Sequence, residues 1–136
     1  MYELSNISIV IVSFNSEEKL FELFPSIPES CELIIVNNAL NSLPQELKKS
    51  RDFIEIHNSE NKGFGTACNI GVTKASKDFI FLLNPDTLLK DHCLENLLKV
   101  CKDFPNASAF TPKITNKKNK EDFKRCLLYT SPSPRD

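Results

Sequence analysis

The residues with the most chemical potential in this 136-residue chain stand just after short apolar runs. Asn84-Pro85-Asp86-Thr87 follows one of them. Pro85 cannot continue strand pairing and biases Asn84 towards an extended backbone, so the turn presents Asp86 rigidly. A lone carboxylate so placed suits Mg²⁺ or Mn²⁺ bound mainly through substrate phosphate oxygens and water, although an isolated Asp is more often a turn or helix cap. His57-Asn58-Ser59-Glu60-Asn61-Lys62-Gly63-Phe64-Gly65 carries two of the three glycines and leads into a helical pattern. Backbone amides opening a helix suit phosphate, and Lys62 adds positive charge. The spacing is not a dinucleotide fingerprint, which would need glycine at Cys68, and no P-loop pattern is present. Ser13-Phe14-Asn15-Ser16 offers an aromatic ring for stacking on a nucleobase or for the core. Asn37-Asn38-Ala39-Leu40-Asn41-Ser42 offers amides that can bond a base edge or ribose, or simply form a turn.

The elements that must hold these loops follow from hydrophobic patterning. Ile7–Val12, Leu33–Val36, Phe53–Ile56 and Phe79–Leu83 are short apolar runs rich in β-formers, the pattern of strands buried on both faces. Between them, Ser16 with Glu17 and Glu18 starts a helix that buries Leu20, Leu23 and Phe24 and stops near Pro25. Pro44 opens a second helix to about Lys49. Gly65 to about Ala75 forms a third, with Ala67, Ile70 and either Val72 or its neighbours inward. Asp91 caps a fourth, whose Leu94, Leu97, Leu98 and Cys101 fall at i, i+3, i+4 and i+7. Ser108–Pro112 is a weak fifth strand. Strand–helix alternation of this kind predicts an α/β fold: a mostly parallel sheet with helices on both faces and right-handed crossovers. Ligands of such sheets sit beyond the carboxyl ends of the strands, where all four loops lie.

Composition narrows the classes. The chain is 40% apolar and 26% charged, which excludes disordered and fibrous classes and allows one core. Lys+Arg of 17 against Asp+Glu of 18 leaves a net charge of −1, with no footprint for nucleic acid. No apolar run reaches the ~20 residues of a membrane span, and the N-terminus lacks a signal-peptide pattern. Five cysteines with no Cys-x-x-Cys pair read as free thiols in a reducing cytoplasm. Lys113–Arg125 holds six basic and two acidic residues, a solvated loop or a phosphate-facing one.

Four blocks together resemble glycosyltransferase family 2, of the GT-A fold with its Rossmann-like nucleotide-sugar-binding half. They are Ile9–Asn15, Leu33–Ala39, Asn61–Gly71 and Phe81–Thr87, and the last is similar to the rhamnosyltransferase-like branch. The likeness runs from about Ser8 to Ile114. It implies a transferase that passes a sugar from a nucleotide-sugar donor to a saccharide or lipid-linked acceptor with inversion. The Asn84-Pro85-Asp86 turn suggests dTDP-rhamnose as donor. By resemblance, Ser13, Phe14 and Asn15 border the base, and Asn37 stands where the family usually has an Asp contacting it, with Asn38 beside it. Asn61, Lys62, Gly63 and Asn69 lie in the segment closing over the donor. Asn84 and Asp86 replace the family's Asp-x-Asp, with Asp86 the Mg²⁺ or Mn²⁺ ligand. Leu40 and Asn41 depart from the usual Ser and Asp.

The family's general base is a carboxylate well downstream, and no residue up to Arg125 matches it. Cys126–Asp136 resemble the in-frame translation of a sequencing adapter, the alternative being a natural Ser/Pro-rich linker, and are left out of the fold expectation. Residues 1–125 are thus expected to be a donor-binding part cut short near Arg125, inactive by itself. Its parent would be cytoplasmic, or peripheral at the cytoplasmic face of the inner membrane. Alternatives are a non-catalytic nucleotide-sugar-binding domain and a sugar-nucleotide pyrophosphorylase. The latter needs a Gly-rich loop with Arg and Lys after the first strand, which Ser13-Phe14-Asn15 does not supply.

Overall fold

A computed structural model describes residues 2–116 and 127–129. Four strands form where the apolar runs predict them: β1 (Ile7–Ser13), β2 (Glu32–Asn37), β3 (Ile54–His57) and β4 (Phe79–Leu83). The helices between and after them are α1 (Glu17–Leu23), α2 (Gln45–Ser50), α3 (Phe64–Lys74) and α4 (Cys93–Asp103). Two short strands follow, β5 (Ala109–Phe110) and β6 (Leu127–Tyr129). The sheet order is β3-β2-β1-β4-β6-β5. β1 pairs in parallel with β2 and β4, and β2 with β3. β6 runs antiparallel to both β4 and β5.

Alternation along each strand sorts the core into two layers. Ile7, Ile9 and Ile11, with Leu33, Ile35, Phe79, Phe81 and Leu83, face a cluster closed by Leu20 and Leu23 of α1, Leu47 of α2 and Leu94, Leu97 and Leu98 of α4. Val10, Ile34, Val36 and Ile80 face α3 through Ala67. Each buried leucine contributes about 1.5–3 kcal/mol relative to an exposed one, so packing rather than intrinsic propensity holds these short helices. Gly71 lets α3 lie close: a Cβ there would collide with the side chains of Val10 and Val36. Arg51, 5% exposed, ties the Ile27–Cys31 segment by donating to the carbonyls of Ile27, Pro28 and Cys31 at 2.8–2.9 Å.

Several local expectations are corrected. α4 is capped at His92, not Asp91; His92 has φ 62° and supplies no side-chain cap. Its carbonyl accepts from Asn96 N at 2.9 Å, so the backbone turn itself starts the helix one residue later. Ser16 is the N-cap of α1, but its hydroxyl donates to the Phe14 carbonyl at 3.1 Å instead of capping. Pro44 is the N-cap of α2 rather than its first residue. On α3 the inward set holds and widens: Ala67 is buried with Cys68 and Gly71, and Ile70 and Val72 pack half-buried against the same layer. The fifth strand shrinks to Ala109–Phe110. Three residues of the segment excluded from the fold expectation, Leu127–Tyr129, form β6 against β4. An apolar Leu-Leu-Tyr triplet is well suited to extend an open edge, whatever its origin.

Candidate functional site

The parallel register brings three loops out at one level. Ser13 lies beside Asn37, and Asn37 beside His57. The ladder continues past the strands, with Asn38 N donating to Ser13 O at 2.8 Å and Asn58 N to Asn37 O at 2.9 Å. β4 lies on the other side of β1 with Leu83 beside Ile11, so the Asn84–Thr87 turn leaves the same edge. All four sequence blocks therefore meet at the carboxyl edge of the sheet.

Beneath the surface of that edge is a polar clasp. Asn37 is fully buried, and both its amide hydrogens are spent, on Asn41 O at 2.9 Å and Glu55 Oε2 at 3.1 Å. Its Oδ1 accepts from Ala39 N at 3.0 Å. Glu55 also accepts from Leu43 N at 3.0 Å and pairs with Lys48 at 3.0 Å. Burial pushes the Glu55 carboxyl up, but the bonds from Leu43, Asn37 and Lys48 outweigh it and hold the group below its ordinary range. Asn38 is 2% exposed; its Oδ1 accepts from Asn58 Nδ2 at 2.7 Å, and its Nδ2 faces Gly63 O and Asn61 Oδ1 at 3.4 and 3.5 Å. His57 Nε2 bonds Ala39 O at 2.9 Å. Asn37 and Asn38, expected at the donor, thus knit the loops from within. Ser13 is also buried; its hydroxyl has no partner among the described residues, and its carbonyl carries the link to Asn38.

Above the clasp, the edge is open. Phe14 is 53% exposed, held on a turn in which Asn15 has φ 53°. Asn61 Oδ1 accepts from Gly63 N at 2.9 Å, shaping the bend into α3. Gly63 has φ 81° and ψ 163°, a region essentially confined to glycine. No side chain caps α3 and its first turn holds no acid, so the first-turn amides give an electropositive end. Lys62 sits on the same bend in a loose exposed pair with Glu60 at 3.8 Å. Thr87 closes the β4 turn on the Asn84 carbonyl through its hydroxyl at 2.6 Å and its amide at 3.3 Å, leaving Asp86 exposed and Asn84 half-buried. Asn69 stands on the solvent side of α3, one turn beyond the bend. A cavity of about 590 Å³ opens next along the chain, between Pro25–Pro28 and Leu88–Glu95.

Sequence reasoning missed Glu55, the hub of the clasp, and Asn58. The available signal was a lone carboxylate inside the apolar Phe53–Ile56 run. Among the described residues, none of Cys31, Cys68, Cys93 and Cys101 is joined in a disulfide. Burial pushes the Cys31 thiol up to about 11, against a smaller downward pull from Arg51. Among the described residues, no three His, Cys, Asp or Glu cluster as a metal cage. The basic run Lys113–Arg125 lies outside the described residues from position 117 on.

The model of the family described as Glycosyl transferase family 2 matches residues 8–133. The chain belongs to glycosyl transferase family 2. Among curated family 2 relatives, the poly-beta-1,6-N-acetyl-D-glucosamine synthase of Staphylococcus aureus (strain COL) is 29% identical over 125 residues, covering 85% of this chain and 30% of the relative. That of Staphylococcus epidermidis is 28% identical over 126 residues, again 85% against 30%. The chain thus spans about a third of the length of these relatives. A mannosyltransferase from Pyrobaculum calidifontis, solved in complex with GDP-Man and Mn²⁺, superimposes with a TM-score of 0.77 at 12% identity, over 93% of this chain and 45% of that one. S. aureus TarS in complex with UDP-GlcNAc gives 0.66 at 15% identity, over 92% and 45%. The fold matches GT-A glycosyltransferases: four parallel strands with flanking helices, extended at one edge by the antiparallel β6 and then β5. No described helix is long and apolar enough to cross a membrane.

Proposed function

We propose that this chain is the donor-binding part of an inverting family 2 glycosyltransferase and holds a nucleotide-diphosphate sugar at the carboxyl edge of its sheet. The observation that carries the reading is the meeting at that edge of an exposed aromatic, an uncapped helix start behind Gly63, and the exposed Asp86. Phe14 stacks on the base. The first-turn amides of α3, with Lys62, take the diphosphate. Asn61 shapes the Gly63 bend, and Asn69 borders it from α3. Asn37, Asn38 and Ser13 act by positioning, through the clasp. One exposed carboxylate on a rigid turn fits Mg²⁺ or Mn²⁺ held mainly by phosphate oxygens and water, and such an ion neutralises the departing diphosphate.

In the reaction an acceptor hydroxyl oxygen attacks the anomeric carbon as the bond from that carbon to the diphosphate oxygen breaks, and the hydroxyl proton passes to a carboxylate base. No described carboxylate of this chain is assigned that role, and the chain spans 30% of its curated relative. The acceptor is a saccharide or lipid-linked saccharide of a cell-surface polymer, in keeping with the polymer named for the relatives. Cysteines outside any disulfide suit a cytoplasmic location, including the cytoplasmic membrane face. The Asn84-Pro85-Asp86 turn favours dTDP-rhamnose as donor, and the relatives favour UDP-GlcNAc.

Calorimetry of the 136-residue chain with Mn²⁺ and either donor tests the reading. Asp86→Ala should weaken binding by roughly tenfold or more while leaving the melting temperature close to that of the parent, because Asp86 is exposed. Equal affinities for the two proteins would contradict the role of Asp86.

A further inference from the structure

We infer that Glu55 is a positioning residue for the nucleoside half of the donor: its carboxylate fixes the loop of residues 38–42, beside Phe14, in the shape that meets the nucleoside. The inference rests on the donor site proposed above and adds the group that orders one wall of it. Glu55 lies on β3 opposite Ile35 and is half-buried. Its Oε2 accepts from Asn37 Nδ2 at 3.1 Å and from Leu43 N at 3.0 Å, and its Oε1 pairs with Lys48 of α2 at 3.0 Å. One carboxylate thus holds both ends of the loop, the last residue of β2 and the residue before Pro44, and ties them to α2.

Further bonds tie the loop to its own base. Ala39 N donates to Asn37 Oδ1 at 3.0 Å, Asn37 Nδ2 donates to Asn41 O at 2.9 Å, and His57 Nε2 bonds Ala39 O at 2.9 Å. Asn38 N on Ser13 O at 2.8 Å sets the loop next to the Phe14 turn. Leu40 is left 78% exposed, and the side chains of Asn41 and Ser42 are exposed and uncommitted among the described residues. An amide and a hydroxyl so free can bond a ribose or a base edge. A loop that must be ordered on binding weakens affinity, whereas one already held in its bound shape does not carry that cost. Glu55 supplies the holding. Without its carboxylate, one N–H of Asn37 and the buried Leu43 N lose their acceptor, and the loop must move to satisfy them. The groups proposed to hold the diphosphate, the α3 amides, Lys62 and the ion at Asp86, all lie outside this loop.

The test is calorimetry of the 136-residue chain in Mn²⁺ with UDP and with inorganic pyrophosphate, on the parent, Glu55→Ala and Glu55→Gln. The parent should bind UDP more tightly than pyrophosphate. Glu55→Ala should weaken UDP by roughly fivefold or more and leave pyrophosphate within about twofold. Glu55→Gln should restore UDP to within about twofold of the parent, because the new amide oxygen can accept from both Asn37 and Leu43. A residue that only stabilised the fold would lower the folded fraction, and so the bound stoichiometry of both ligands together. Amide spectra of the parent give a second reading that does not depend on a variant folding: UDP, and not pyrophosphate, should shift the amides of residues 39–43. Unchanged UDP affinity in Glu55→Ala, an equal loss of both ligands, or Glu55→Gln as weak as Glu55→Ala overturns the inference alone. So does UDP that leaves those amides unmoved, or that binds the parent no better than pyrophosphate. No UDP binding by the parent overturns the donor site and this inference with it.

Discussion

The two edges of the parallel sheet use polar residues in opposite ways. At the amino edge, Glu32 at the start of β2 accepts from the Ser8 hydroxyl of β1 and from Ser76 N and Oγ at 3.0 and 2.8 Å, and Lys77 N donates to Ser8 Oγ at 3.1 Å. Those polar groups are spent on one another, between the ends of β1, β2 and the α3–β4 connection. At the carboxyl edge, the clasp of Asn37, Asn38 and Glu55 does similar internal work, but a second tier above it stays exposed: Phe14, Lys62, Phe64 and Asp86. The amino edge stabilises the fold. The carboxyl edge is stabilised from below and leaves its upper tier open, where the proposed donor would bind.

Substitutions should separate the tiers. The largest stability effect is expected from Asn37→Asp, about 2–3 kcal/mol at neutral pH, because it sets a buried carboxylate against Glu55. A carboxyl pair so placed titrates at a raised pKa in the folded state. Its protonated form is therefore favoured by folding, and the deficit should shrink as pH falls towards the carboxylate range. Urea unfolding at several pH values checks this, and a deficit that does not change with pH would break the clasp account. Glu32→Ala at the amino edge should cost about 1–2 kcal/mol, since the Ser8 and Ser76 donors lose their acceptor. Its nucleotide binding should match the parent, and weaker binding would blur the distinction between the edges.

The smallest effect is the acid response of the unaltered chain. Burial pushes the Glu32 carboxyl up, but the bonds from Ser8 and Ser76 outweigh it and hold the group low, as Glu55 is held low at the other edge. A depressed folded pKa stabilises above the ordinary carboxylate value of 4.5, and that stability is lost as pH falls below it through the folded values. Melting temperatures should fall over that range, with a shallower fall in Glu32→Ala.

What the sequence made legible divides along physical lines. Burial on both faces writes itself into local composition, so β1, β2 and β4 and the inward positions of α4 are plain from patterning. The register that gathers four loops at one edge follows from parallel topology. Hydrogen-bond partners distant in sequence are not written locally. Asn37 looks like an exposed reader until Glu55, 18 positions on, claims its amide. The His92 cap was hidden because a left-handed backbone at a non-glycine residue has no strong compositional signal. β6 draws on an apolar triplet whose β-forming character is masked by the Ser/Pro-rich residues that follow it.

The most direct test of the central claim is paramagnetic broadening of backbone amide resonances in the 136-residue chain, with Mn²⁺ added in the presence of UDP. The account predicts broadening centred on Asn84–Thr87 and reaching Phe14 and the Gly63–Thr66 bend, with Ser8, Glu32 and Ser76 at the opposite edge unaffected. Broadening centred on that amino edge, or none that depends on UDP, would contradict it.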